Sequence, residues 1–177
     1  MLGVKSESSQ ETWEKPVEQK EEPNFEVSGV LAEAQNQMNG VALNFAISID
    51  AAKPDGTSQD WRLFEFLGES NPRIIKLHNR SCFLFGSDKR LLEDNSDDLS
   101  FTLVAHDSCS KQHAVIQFRS RQGSVKPYML DLDSTNKTYL NGDTVEAGRY
   151  IELRHEDVIR FGRCESEYVL MNAFLDT

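Results

Sequence analysis

The sequence predicts an all-β sandwich, and three observations carry that reading. Ten short apolar or β-favouring runs follow one another between Trp61 and Met171, at the roughly ten-residue spacing of a sandwich or barrel. Several alternate apolar and polar residues with period two, as half-buried strands do. Turn-forming clusters separate them, and no stretch carries the length and 3.6-residue period of a long helix.

In chain order the runs are Trp61–Leu67, Ile74–Leu77, Cys82–Phe85, Phe101–Val104, Ala114–Phe118 and Tyr128–Leu132, then Thr138–Leu140, Tyr150–Leu153, Val158–Phe161 and Tyr168–Met171. Ala114, Ile116 and Phe118 oppose Val115, Gln117 and Arg119; Tyr128, Leu130 and Leu132 oppose Met129, Asp131 and Asp133. The breaks fall at Asn71-Pro72, Asp94-Asn95, Gln122-Gly123, Asn141-Gly142 and His155-Glu156-Asp157. Asn141-Gly142, between Tyr139-Leu140 and Thr144-Val145, predicts a two-residue hairpin, because both residues tolerate positive φ. The acidic stretch Glu93–Asp98 reads as a surface loop.

The first sixty residues have another character. Of the 19 Lys+Arg and 29 Asp+Glu that give a net charge of −10, residues 1–60 hold 4 and 11. Ser6 to Asn24 contains only Trp13 and Val17 as apolar residues; such a segment buries too little surface to offset chain entropy and is expected to be disordered. Phe25, Val27, Val30, Leu31 and Met38 are apolar beads among Gly, Ala, Gln and Asn, with a short helix expected near 29–37. Val41, Leu43, Phe45, Ile47 and Ile49 then alternate with polar or small residues, which predicts a strand ended by Lys53-Pro54-Asp55-Gly56. Periodicity leaves open whether that strand lies on the chain's own domain or on a partner. The expected organisation is a disordered acidic tail over 1–22, a docking arm over 23–57 and the sandwich over 58–175.

Composition narrows the function. No apolar run approaches the ~18 residues needed to cross a bilayer, and the first residues lack a basic-then-apolar signal. The acidic balance argues against bulk nucleic-acid binding, which needs a Lys/Arg excess. Three widely spaced cysteines, Cys82, Cys109 and Cys164, suit a reducing compartment. His106, Asp107, Cys109 and His113 lack metal-ligand spacing, so no metal or other cofactor is expected. Ser110 and His113, with Asp131 or Asp133, do not sit in a nucleophile elbow, so no enzyme is expected either. Phosphate recognition fits better. Two polar loops, residues 107–113 and 133–138, offer hydroxyls, backbone N–H groups and Lys at one end of a sandwich. Ordinary turns satisfying their own backbone remain the alternative.

A wider array carries a resemblance. Phe85-Gly86, Ser110-Lys111-Gln112-His113-Ala114, Asp131 to Gly142 and Glu156 to Gly162 together resemble the forkhead-associated (FHA) domain, over roughly Trp61 to Phe174. The resemblance implies a β-sandwich of about eleven strands that binds phosphothreonine peptides at its loop end. Ser110 matches the hydroxyl that donates to the phosphate, Lys111 adds charge beside it, and Asn136 matches the amide that holds the peptide backbone. His113, Gly86 and Thr138 match positions that support the pocket. Two positions depart: the Arg after the Gly, a principal phosphate ligand, is Ser87, and the Gly of Asn-Gly-Thr is Lys137. Loss of one charge-assisted bond costs roughly 1.5–3 kcal/mol, or about 10- to 150-fold in affinity. Lys89, Arg90 and Lys137 are the candidate replacements.

Ser108 to Val115, Val125 to Tyr128, Arg149 to Leu153 and Pro23 to Leu31 resemble more narrowly the FHA branch of the nuclear RES (retention and splicing) complex. That resemblance implies a non-enzymatic, nuclear adaptor in pre-mRNA splicing and retention. Its arm would dock on a small RNA-recognition-motif subunit, through Phe25, Val27, Leu31, Leu43 and Phe45, with a Bud13-like protein as the third subunit. RNA would be touched only indirectly and a membrane not at all. Ser110 and Asn136 favour a phosphothreonine reader; Ser87 and Lys137 favour a phosphate-independent scaffold in the same complex.

Overall fold

The computed structural model describes residues 36–57, 59–92 and 97–175. The expected tail and the anchors Phe25, Val27 and Leu31 lie outside them. A short hairpin comes first, β1 (Gln37–Met38) and β2 (Val41–Ala42), then β3 (Trp61–Phe66), β4 (Arg73–Lys76), β5 (Cys82–Gly86), a single 3-10 turn over Lys89–Leu91, and β6 (Leu99–Leu103). There follow β7 (Ala114–Arg121), β8 (Ser124–Asp131), β9 (Thr138–Leu140), β10 (Asp143–Thr144), β11 (Tyr150–Glu152), β12 (Val158–Phe161) and β13 (Glu167–Asn172). Each of the ten expected runs is a strand.

The sandwich holds eleven strands in two sheets, a six-stranded one ordered β10-β9-β12-β13-β3-β4 and a five-stranded one ordered β11-β8-β7-β5-β6. All pairings within them are antiparallel except β5 with β6. The hairpin at Asn141-Gly142 forms as expected, with φ of 52° and 91°, the positive pair that a type I′ turn needs. Between the sheets lies an apolar core including Leu63, Phe83, Phe85, Ile116, Phe118, Met129, Ile159, Phe161 and Tyr168. Phe85 stacks on Phe161 at 5.0 Å between ring centres, and Tyr168 meets Phe161 edge-on, also at 5.0 Å.

Strand β5 is buried at every residue, although alternation turns only Phe83 and Phe85 toward the inter-sheet core. Cys82 and Leu84 point out of the sandwich and are sealed by the arm. Met38 and Phe45 pack with Cys82, Leu84, Leu91, Leu99, Val115 and Leu130 in a second apolar cluster, with Val41 and Leu43 at its margin. The arm is pinned further along by the carboxylate of Asp50, which takes Arg119 at 2.9 Å and Arg121 at 2.8 Å. Hydrogen bonds to Arg119 and Ser48 hold the Asp50 carboxyl down at about 2.

Residues 41–49 correct the expected long strand. Only Val41–Ala42 pairs, within the small hairpin, and the next backbone bridge is Ala51 to Arg119. The segment crosses the outer face of the five-stranded sheet rather than extending an edge, so side chains, not a ladder, receive it. Ile47 and Ile49 are exposed. Gln37, at the end of the expected helix, already belongs to β1. Phe45, expected as a partner anchor, is 7% exposed and packs on this chain's own sandwich. Half-buried Leu43 packs against the same cluster.

Candidate functional site

The loop end of the sandwich gathers three segments: 87–92 after β5, 104–113 before β7, and 132–137 between β8 and β9. The middle segment lies directly over β5. A Cβ on Gly86 would stand 2.0 Å from the carbonyl oxygen of Lys111, so only glycine lets the loop approach this closely. The backbone N–H groups of Ser87 and Asp88 donate to the carbonyls of Ser110 and Lys111 at 3.0 and 3.2 Å, and His113 N–H donates to Phe85 O at 2.8 Å.

His113 ties this loop to the next. Its Nδ1 accepts from Ser110 N at 3.0 Å, and its Nε2 meets Lys137 O at 3.1 Å. An accepting Nδ1 carries no proton, so the ring is the Nε2–H tautomer and donates to Lys137 O. Burial lowers its pKa, against the opposing pull of the Lys137 carbonyl and the Asp131 charge. Both ring nitrogens are therefore occupied by structural bonds. His106 is engaged likewise, its Nδ1 bonded to Ser108 N at 3.1 Å and Ser108 Oγ at 2.7 Å.

Asp131 organises the third segment from beneath. Wholly buried, it accepts from Ser134 N at 3.0 Å, Ser134 Oγ at 2.6 Å and Thr138 Oγ1 at 2.6 Å. Burial alone would raise its pKa; the Ser134 and Thr138 donors together overcome that and lower it.

The structure brings Ser110, Lys111, Asn136 and Lys137 to one surface over the supports Gly86, His113 and Thr138. Ser110 Oγ accepts from Thr135 N at 3.1 Å, which leaves its hydroxyl hydrogen to donate. Asn136 Nδ2 donates to Ser108 O at 2.9 Å and so clamps the two loops together. Lys137 adopts φ = 64°, a left-handed backbone costing a non-glycine residue about 1 kcal/mol. Its carbonyl is fixed there by two donors, His113 Nε2 and Gly162 N at 2.8 Å. The Lys137 ammonium makes only a loose, exposed pair with Asp133 at 3.8 Å.

Arg90 does not join this surface as a free cation. Its guanidinium forks onto the buried carboxylate of Asp88, Nε at 2.9 Å and Nη2 at 2.6 Å. That pair lowers the Asp88 pKa and raises that of Arg90. Ser87, where the resemblance expects arginine, spends its hydroxyl on Cys109 O at 2.8 Å. A shallow pocket opens beside it, lined by Ser87, Lys89, Leu103, Ala105, His106 and Asp107. Lys89 and exposed Lys111 are the nearby cations without an ion pair among the described residues. The sequence reading passed over Ser108, whose Oγ also accepts from Arg163 N at 2.8 Å, and Asp88. Ser108 lies in the 107–113 loop, but its bonds to Asn136 and Arg163 join segments that only the fold juxtaposes, whereas Asp88 holds Arg90 within one turn.

The chain is similar to known proteins in sequence and fold. The family model of the FHA domain matches residues 83–162. Pre-mRNA leakage protein 1 of Saccharomyces cerevisiae is 34% identical over 174 residues, covering 85% of each chain. The chain belongs to the FHA-domain proteins. Its FHA domain is a non-catalytic module. Smad nuclear-interacting protein 1 of Mus musculus is 37% identical over 172 residues, 92% of this chain and 42% of that protein. The FHA domain-containing protein DDL of Arabidopsis thaliana is 44% identical over 163 residues, 86% of this chain and 48% of that protein. The chain thus spans less than half the length of these two relatives. Among solved structures, that of the yeast Pml1 splicing factor, described with its integration into the RES complex, superposes with a TM-score of 0.62 at 31% identity, over 75% of this chain and 99% of that one.

Proposed function

We propose that this chain is a non-enzymatic, nuclear adaptor of a RES-type splicing and pre-mRNA retention complex, with an FHA domain that reads phosphothreonine. The complex is supported by the yeast Pml1 likeness, which spans 99% of the solved Pml1 chain, and by the match to 85% of the yeast leakage protein. The RNA-recognition-motif and Bud13-like subunits are the partners this reading names, with residues 23–35 as the remaining stretch for docking. The phosphate reading rests on one observation: the Ser110–Lys111 loop is locked over Gly86 and clamped to the Asn136–Lys137 loop, with the Ser110 hydroxyl hydrogen left over. A phosphoryl group there would accept from Ser110 and pair with Lys111, Lys137 and Lys89 as point charges.

A specific observation favours a second reading, a scaffold that binds no phosphate. Ser87 replaces the forked cation and Arg90 is committed to Asp88. Titrating the full chain against a phosphothreonine peptide library with unphosphorylated twins separates the two. Selective binding lost in Ser110→Ala establishes the reader. Absence of binding at high micromolar peptide, with the RNA-recognition-motif subunit still captured, establishes the scaffold.

A further inference from the structure

Gln112, between Lys111 and His113, is buried, yet its amide bonds to the arm rather than to its own loop. Nε2 donates to Ala42 O at 2.8 Å, and Oε1 accepts from Asn44 N at 2.8 Å. This reciprocal pair, given to two alternate residues of one extended segment, imitates a rung of a β-ladder. A second tie runs from Asn39 Nδ2 to Arg90 O at 3.3 Å, on the loop after β5. On its far side the arm is held by other means: Phe45 and Met38 in the apolar cluster, Asp50 between Arg119 and Arg121, and the bonds Ala52 N to Phe118 O and Ser120 N to Asp50 O. The arm therefore binds the sheet and the phosphate loop at once, and Gln112 is where the two attachments meet.

We propose that the docked arm, through Gln112, holds the Ser110–Lys111 loop in its binding geometry, so that seating of the arm and binding of a phosphopeptide are coupled. The proposal rests on the phosphothreonine reading above. Gln112 is a positioning residue and does not itself contact phosphate. When the arm leaves, a buried amide loses both partners, and satisfying it in water requires the loop to move. Coupling of this kind is reciprocal. A peptide that tightens the loop tightens the arm, and a partner pulling on the chain ahead of Asn36 alters the site.

The test uses the full chain as wild type, Gln112→Ala, Phe45→Ala and the double variant. Two quantities are read: affinity for the best phosphothreonine peptide from the library, and amide exchange at Ser110 and His113 without peptide. Each single change is expected to weaken binding roughly five- to tenfold and to speed exchange at both amides. The double variant is expected to be little worse than the poorer single, because both act through one connection. Additive losses would overturn the proposal. So would Phe45→Ala freeing the Leu43 and Ala52 amides while Ser110 exchange stays unchanged. If Gln112→Ala fails to fold, Phe45→Ala decides alone, since it leaves the loop's own residues intact. A wild type that binds no phosphopeptide sinks the phosphothreonine reading instead, and exchange at Ser110 then decides whether arm and loop are linked.

Discussion

The two outer faces of the sandwich are treated in opposite ways. On the five-stranded sheet the outward residues Cys82, Leu84, Val115 and Leu130 are apolar and buried, because the arm lies over them. On the six-stranded sheet Ile74, Phe64, Val169 and Val158 stand in register across four neighbouring strands. No described segment seals that row as the arm seals the other, and Ile74 is 50% exposed. An outward apolar residue is thus a core residue on one face and surface on the other. The difference lies in what crosses the sheet, and the covered face is also the one wired to the phosphate loop.

The largest expected effect comes from Phe45→Ala on the covered face. Removing a buried aromatic typically costs about 3–5 kcal/mol, read by denaturant unfolding of the full chain. A loss below about 1 kcal/mol would mean that the arm is not part of the folded body. Gly86→Ala strikes where that face meets the site; overpacking against Lys111 O should cost about 1–3 kcal/mol, with Ser110 and His113 amide exchange accelerated. Normal exchange there would show that the loop can rise without consequence.

Acid discriminates the faces without mutation. The Asp50 carboxyl sits near 2 in the folded chain against an ordinary 3.8, so the folded state binds fewer protons between those values. Its contribution is complete above about pH 4 and is lost as pH falls toward 2. His113, whose folded pKa is depressed by burial, acts earlier. Its contribution is complete above its ordinary 6.5 and is lost as pH falls through the lower folded value. Exchange-detected titration should therefore show the loop amides Ser110 and His113 loosening first, with the arm amides Ala52 and Ser120 loosening further as Asp50 protonates.

Smaller effects sharpen the contrast. Lys137→Gly relieves a positive φ and should gain about 1 kcal/mol in stability, while weakening phosphopeptide binding through the lost charge. Ile74→Thr on the open face should change stability by no more than about 0.5 kcal/mol. A cost of several times that would reveal the open face to be covered after all.

Much of the fold was legible from local signals. Strand runs with period two and turns such as Asn141-Gly142 are set by side-chain sterics and burial within a few residues, and all ten runs became strands. One local signal was passed over: Asn39-Gly40, with φ of 52° and 73°, closes the β1–β2 hairpin by the same chemistry as Asn141-Gly142. In the site, Ser110 and Asn136 carry the motif in the chain itself, and Lys137 takes a positive φ at the position where the motif has glycine.

What the sequence by itself determined, then, is ten of the sandwich's eleven strands, turns such as Asn141-Gly142 and the polar loops bearing Ser110 and Asn136. Only the tertiary structure decided that Phe45 faces this chain's own sheet and that Gln112 joins arm to loop. The physical reason is sequence distance. A strand or turn is stabilised by neighbours in the chain, whereas Gln112 meets Asn44 across 68 residues and Asn136 meets Ser108 across 28. Those pairings exist only after two sheets have packed and brought their loops to a common end.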